Sequence, residues 1–277
     1  MAELDALLGW KAAAVGLWVL LFFAAERLRP AARPILGTGP GVPRPGWWRV
    51  GRNLGLWLIN AALSPLIVLP LTLWASSHAI PWRPDWWQGL PGLALDILLL
   101  DLLIYWWHRF NHELPFLWRF HEVHHLDRFL DTTTALRFHF GEVLLSALAR
   151  AGIILLLGFP FTSVVVFEVL VLVCAIFHHS NLRLPAGLEG VLSRLIITPS
   201  IHWVHHHARR RDTDSNYGTI FSFWDRLFRT RSPMARDLAM PIGVEKREEE
   251  PILALLVHPL RAGPRPELPA QEGQRRG

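Results

Sequence analysis

Eight of the fourteen histidines fall into three tight groups: His108-x3-His112, His121-x2-His124-His125 and His202-x2-His205-His206. On an α-helix, positions i, i+3 and i+4 share one face, so each group aims two or three imidazoles at a single point. Neutral imidazole is the commonest metal ligand. Three such faces supply more ligands than one ion can take, which points to a two-metal site. The single cysteine, Cys174, lies inside an apolar stretch and reads as a small buried hydrophobe. An all-nitrogen donor set without thiolate suits iron, copper or zinc.

The middle group permits a rival. His121-Glu122-Val123-His124-His125 reads as H-E-x-x-H, with His121 and His125 on zinc and Glu122 as the general base of a membrane protease. That reading has no use for His124 and leaves the other two groups idle. The first group extends upstream instead: Asp101, Tyr105, His108 and His112 fall on one helical stripe. A carboxylate inside an apolar span is costly and is a functional hypothesis by default. Asp101 is expected to accept a hydrogen bond from a ligand histidine and fix its tautomer. Asp96 and Glu168 have weaker cases, since neither is near a histidine group in sequence.

The elements that must position these residues are membrane helices. Of 277 residues, 51% are hydrophobic and only 18% charged, below the roughly 25% charged of soluble proteins. Five apolar stretches, 7–25, 54–75, 90–107, 143–159 and 161–177, approach the ~20 residues that a spanning helix needs. The last two are separated by Gly158-Phe159-Pro160 and predict a helical hairpin, spanning or re-entrant. Glu3 and Asp5 precede the first stretch, unlike the positive start of a signal peptide, so a retained helix is expected. Arg27, Arg29, Arg33, Arg44, Arg49 and Arg52 follow the first stretch, and Arg109, Arg119, Arg128 and Arg137 follow the third. The positive-inside rule then places the N-terminus outside and all three histidine groups at the cytoplasmic surface, with only His78 opposite. A bacterial inner-membrane protein is the expectation.

Short helices are expected over 120–130 and 188–197, an apolar surface piece over 251–260, and a disordered tail over 263–277. The division into domains is 1–89 (N-terminal spans and loop), 90–230 (catalytic) and 231–277 (C-terminal segment). The fold class expected is all-α: an integral membrane bundle of four to five spans, with a cytoplasmic helical cap holding a histidine-rich di-metal site.

The stripe from Asp101 to His112 and the two His-x2-His-His groups resemble the fatty acid hydroxylase (sterol desaturase) superfamily of membrane di-metal oxygenases. Arg137-Phe-His139-x2-Glu142 is similar to its R-x-H-P-x-E element, with Phe140 in place of proline. His179-Ser180-Asn181 followed by Leu184-Pro185, Asn216-Tyr217-Gly218, and Trp224-Asp225-Arg226-Leu227-Phe228 resemble further elements, Arg229 standing where glycine is common. The likeness covers about 90–230, and its strength lies in the number, order and spacing of the motifs.

The resemblance implies two irons, for which zinc can substitute in a purified sample. Their ligands would be His108, His112, His121, His124, His125, His139, His179, His202, His205 and His206, with no further catalytic residue. Asp101, Tyr105, Arg137, Glu142, Asn181, Tyr217 and Asp225 would support them, Arg137 and Glu142 as a polar pair. His207 is expected to face away, and His78 and His258 lie outside every motif. The implied activity is hydroxylation or desaturation of a fatty acyl or sterol-like C–H bond with dioxygen. Without a Gly-rich dinucleotide fingerprint, two electrons must come from an external reductase or carrier, for which the basic face is a docking surface. Alkylglycerol monooxygenase-like ether-lipid cleavage with a reduced pterin is the alternative within the class. Outside it stand the zinc protease and a non-catalytic metal-binding membrane protein. Basic loops at a membrane surface are accounted for by topology and anionic lipid rather than nucleic acid.

Overall fold

The computed structural model describes residues 2–33 and 46–263. Among these residues the chain is helical, with two isolated bridges (Ile196 to Phe221, His207 to Ile242) and no strand. Helix α1 covers Ala2–Leu28, α2 Trp47–Leu63, α3 Leu69–Ser77 and α4 Gly89–Glu113; α5 is Pro115–His125, α6 Phe140–Leu157 and α7 Phe161–His179. Shorter pieces follow: α8 Ala186–Leu192, α9 Pro199–His205, α10 Arg210–Thr213, α11 Phe223–Leu227 and α12 Ile252–Arg261. The tail expected over 263–277 lies, apart from Gly263, outside the described residues.

Four helices among the described residues are long and apolar enough to cross a membrane: Trp47–Ser77, Gly89–Glu113, Phe140–Leu157 and Phe161–His179. The first joins α2 to α3 through a π-turn at Ser64–Val68. Pro65 has no N–H to donate, and its ring crowds the carbonyl four residues back, so the turn widens instead of breaking. Helix α1, which carries the stretch 7–25, is not one of the four. It lies along α7, where the Trp18 indole donates to the Val173 carbonyl at 3.0 Å and Lys11 pairs with Glu168. The bundle's outer surface is apolar, with Leu17, Leu66, Trp74, Leu90 and Leu148 all exposed. A contiguous apolar surface of this kind is untenable in water and is what a bilayer solvates.

The expected hairpin forms. Gly158 closes α6 in the left-handed region at φ 68°, and Pro160 opens α7. Arms of 18 and 19 residues reach about 27–29 Å at 1.5 Å per residue, near the ~30 Å hydrocarbon thickness. The two other carboxylates of the apolar stretches, Asp96 and Glu168, are both paired. Asp96 accepts from Trp87, Arg83 and Ser163 at 2.6–2.9 Å, and Glu168 lies between Lys11 and Arg150. The apolar interior, Leu100, Ala151, Ile154, Phe159, Val164 and Phe167, fills the space between α4, α6 and α7.

Two short helices depart from expectation. The helix carrying the second histidine group begins at Pro115, pre-set for the first helical position, and ends at His125 instead of continuing to 130. It stops because Asp127 is drawn aside by Arg49 of α2, whose guanidinium reaches both Asp127 oxygens at 2.5 and 2.7 Å and Asp131 at 2.7 Å. The surface helix expected over 188–197 is instead α8, which ends at Leu192.

Arg49, Asp127 and Asp131 are all but fully buried. Removing one member of a buried charge set leaves its partners uncompensated, a cost of about 3–5 kcal/mol. Arg49→Gln is therefore expected to lower the thermal unfolding midpoint in detergent sharply. A midpoint equal to the parent's would show that this network does not hold the connection between α5 and α6 to α2.

Candidate metal centre

Helix α4 delivers His108 and His112 at its last two turns, α5 delivers His121, His124 and His125, α7 ends on His179, and α9 carries His202 and His205 with His206 at its cap. These helix ends meet at one end of the bundle. Nine imidazoles come together there in two groups: His108, His112, His121, His125 and His205, and beside it His124, His179, His202 and His206. Within each group the candidate ligand atoms lie within 4.8 Å of one another. The groups adjoin, since the rings of His125 and His206 stack at 4.4 Å across the boundary.

Hydrogen bonding on the outer nitrogens fixes which lone pairs face inward. A carbonyl oxygen only accepts, so each imidazole bonded to one must donate. His108 Nδ1 donates to the Tyr217 carbonyl at 2.8 Å, His124 Nδ1 to Arg137 at 3.0 Å, His179 Nδ1 to Ala175 at 2.7 Å and His205 Nδ1 to Ser215 at 2.7 Å. His121 Nδ1 lies 2.8 Å from the Glu142 carboxylate. In each neutral ring the proton then sits on Nδ1, and Nε2 presents a bare lone pair to the interior.

The Nε2 atoms of His124 and His179 are 3.2 Å apart, and neither can donate to the other. His205 Nε2 is buried with no hydrogen-bond partner. Facing lone pairs and an orphaned buried acceptor are what a cation between them would satisfy. Protonation is a poor substitute: burial first, then neighbouring imidazoles, push His124, His125, His202, His205 and His206 well below the ordinary histidine value. The donor set thus fits two metal ions, one per group.

The carbonyl acceptors are held in turn. Asp225 accepts from the Tyr217 and Gly218 amides at 2.7 and 2.9 Å and from Thr230 at 2.7 Å. Asn216 has φ 54°, a left-handed conformation that Asn tolerates better than most residues. This bend lets the Ser215 and Tyr217 carbonyls both reach histidines. Gly218 permits the close approach, because a Cβ there would meet Asp225 Oδ2 at 2.9 Å and Ile197 Cδ1 at 2.7 Å. Tyr105 packs beneath, its ring against Phe228 at 5.1 Å and its hydroxyl 2.8 Å from Thr230. Asn181 ties residues after α1 to the end of α7 through both directions of the Ala32 backbone.

Three expectations need correction. His139 is in neither group: its Nδ1 accepts from the Gly141 amide as the N-cap of α6, and its Nε2 reaches the Leu256 carbonyl at 3.1 Å. Asp101 meets no histidine. It accepts from the Ile220 and Phe221 amides at 3.1 Å and the Trp224 indole at 2.8 Å, anchoring the loop whose Tyr217 carbonyl holds His108. Arg137 and Glu142 are not a pair. The Arg137 guanidinium donates to the Val123 carbonyl at 2.7 Å and to Glu249 at 3.0 Å, while Glu142 takes His121 and Asn111.

Of the remaining histidines, His207 turns to Asp212 at 2.8 Å, and His178 packs on the His202 ring outside both groups. Glu122, the base of the protease reading, is turned off the histidine face. His258 holds it at 3.0 Å and Arg247 at 3.4 Å. The residues that sequence reasoning missed, Ala175 and Ser215, act through backbone carbonyls and carry no side-chain signal.

Residues 93–230 match the family described as fatty acid hydroxylase. The chain is 33% identical to alkylglycerol monooxygenase of Danio rerio over 62% of its own length and 37% of that protein's. It is 27% identical to ornithine lipid hydroxylase OlsE of Rhizobium tropici (74% and 61%), and 28% identical to cholesterol 25-hydroxylase of Rattus norvegicus (60% and 56%). In each case the chain spans less than two thirds of the relative. No solved structure matches it.

Two outcomes are expected. Metal analysis of protein from iron-replete cells should find about one ion per histidine group. His205→Ala and His179→Ala should each lose about half the metal, while His139→Ala keeps it all; equal loss in all three would dissolve the two-group assignment. The second outcome concerns pH. A buried imidazole that stays neutral when folded takes its proton near 6.5 only when unfolded, so the unfolded chain binds more protons as pH falls. Metal-free protein should lose thermal stability as pH drops from about 7 to about 5, and bound metal should shift that loss to lower pH. A flat profile would contradict the neutral, inward-facing cluster.

Proposed function

Residues 93–230 of this chain belong to the fatty acid hydroxylase family, and on that premise we propose a di-iron, dioxygen-dependent oxygenase that hydroxylates or desaturates a C–H bond of a membrane lipid. The observation that carries this reading is the pair of abutting all-imidazole groups at one end of an apolar bundle. His108, His112, His121, His125 and His205 would hold one ion and His124, His179, His202 and His206 the other. Iron held there supplies the reduction of dioxygen and the oxidation of an unactivated C–H bond.

The chain's own residues set the conditions for that chemistry. The Tyr217, Arg137, Ala175 and Ser215 carbonyls keep protons on the outer nitrogens, leaving the inner ones free to ligate. Trp118 is buried against His112 and His125, with ring separations of 5.2 and 5.5 Å, and closes the group of five to water. An apolar groove of about 290 Å³ between α4 and α6 is lined by Leu103, Ile104, Trp106, Trp107 and Phe110, beside His108 in the chain. An acyl chain can enter such a groove from the bilayer without crossing water, and holding the C–H bond still is what the protein contributes.

The distribution of arginines favours a histidine end facing the cytoplasm, where an external carrier would deliver electrons. The bacterial inner membrane is the setting that fits this. A second reading, ether-lipid cleavage, is favoured by the 33% identity to alkylglycerol monooxygenase; it uses the same ligands on a carbon next to an ether oxygen. The turned-away Glu122 speaks against peptide hydrolysis.

Lipids from cells expressing the protein under labelled dioxygen, compared with cells lacking it, provide the test. A lipid gaining one labelled oxygen or losing two hydrogens is expected, and ether cleavage would appear as release of the alkyl chain. His124→Ala should cut product by more than the roughly 10–100-fold that loss of an outer hydrogen-bond partner costs, whereas Glu122→Gln should retain activity. Product that persists in His124→Ala and vanishes in Glu122→Gln would refute the oxygenase.

A further inference from the structure

A second cavity opens near the histidine end of the bundle. It is a cleft of about 920 Å³ lined by Arg183 and residues of α8 on one side and by residues 231–238 on the other. No histidine lines it. Arg183 from one wall faces Arg231 and Arg236 from the other, against the two acids Glu189 and Asp237. Both acids are occupied: Glu189 accepts from the Thr198 and Ser200 hydroxyls, and Asp237 from the Ala239 amide at 2.9 Å. Arg236 donates to the Leu182 carbonyl at 3.0 Å and lies over the Trp203 ring. Among the described residues, none of the three arginines is within salt-bridge distance of a carboxylate. The cleft therefore presents three guanidinium groups against two carboxylates, with no direct ion pair between them, and their planar fork suits the oxygens of a phosphate.

Position in the fold narrows the ligand. Arg183 comes four residues after the end of α7, about where that span leaves the hydrocarbon. Beside the cleft, Leu188 and Val191 of α8 and the following Leu195 are exposed at 48%, 58% and 60%, an apolar edge next to a cationic hollow. We propose that this cleft binds the phosphate-bearing headgroup of a membrane glycerolipid, with Arg183, Arg231 and Arg236 on the phosphate and the acyl chains along Leu188, Val191 and Leu195. A free phosphate would leave that apolar edge bare. An acidic protein would have to insert a projection into the hollow. The site is separate from the histidine groups and stands whether or not they carry iron.

The test uses the full chain in mild detergent and native mass spectrometry with two competing lipids of equal chain length, phosphatidylglycerol and a phosphate-free glucosyl diacylglycerol. Selective retention of phosphatidylglycerol is expected, weakened by about tenfold or more in Arg183→Gln/Arg231→Gln, with metal content unchanged to show the variant is folded. Arg194→Gln, outside the cleft, should bind as the parent does, and Arg183→Lys/Arg231→Lys should recover part of the loss. Equal retention of both lipids overturns the proposal, as does equal weakening by Arg194→Gln. Inorganic phosphate binding as tightly as the phospholipid would assign the site to a free anion and also overturns it.

Discussion

Nine imidazoles cannot converge in a dry interior unless something determines where each proton sits. Bare lone pairs repel one another, and burial disfavours charging His124, His125, His202, His205 and His206. For His108, His121, His124, His179 and His205 the solution is a shell of acceptors, four carbonyls and the Glu142 carboxylate, that draws protons outward and leaves Nε2 bare on the inside. His124 and His179, 3.2 Å apart with both protons committed elsewhere, show the constraint most directly. A cation between them would relieve that tension, and the rest of the fold at this end of the bundle holds those acceptors in place.

That holding is done largely by buried charge. Asp101 and Asp225 hold successive parts of one loop by its amides, and the loop's carbonyls then meet His108 and His205. Arg137 acts twice, its carbonyl on His124 and its guanidinium on the Val123 carbonyl one residue earlier. Arg49 fastens the turn between α5 and α6 to α2 through Asp127 and Asp131. Apolar packing of equal volume would be as stable, and buried ion pairs are weak evidence for stability as such. Their directionality, however, sets positions to a fraction of an ångström, which ligand geometry requires.

Helix-spaced histidines and long apolar runs were readable in the sequence because both are periodic signals. What was not readable shares a physical reason. Every residue has a carbonyl, so nothing marks Ala175 or Ser215 as the ones that orient a ring. His139 sits just ahead of a helix, and the same residue type serves equally as ligand or N-cap; only the position of Gly141's amide distinguishes them. Asp101 was rightly conspicuous as a carboxylate inside a span. Its partners are backbone amides 119 and 120 residues away, which no spacing rule reaches. The second histidine helix starts five residues ahead of the expected 120, at Pro115, whose fixed φ suits the first helical position.

The bond from His108 to the Tyr217 carbonyl joins residues 109 positions apart. During synthesis the chain emerges from its N-terminus, so α4 and α5 leave the ribosome with their five histidines long before the loop that orients His108 exists. Until Asp225 arrives to secure that loop, the His108 ring lacks its acceptor, whereas His121 and His124 find theirs within about two dozen residues, at Glu142 and the Arg137 carbonyl. The outer acceptors of His108 and His205 are therefore the last parts of the centre to be made, supplied by residues synthesised after the last span.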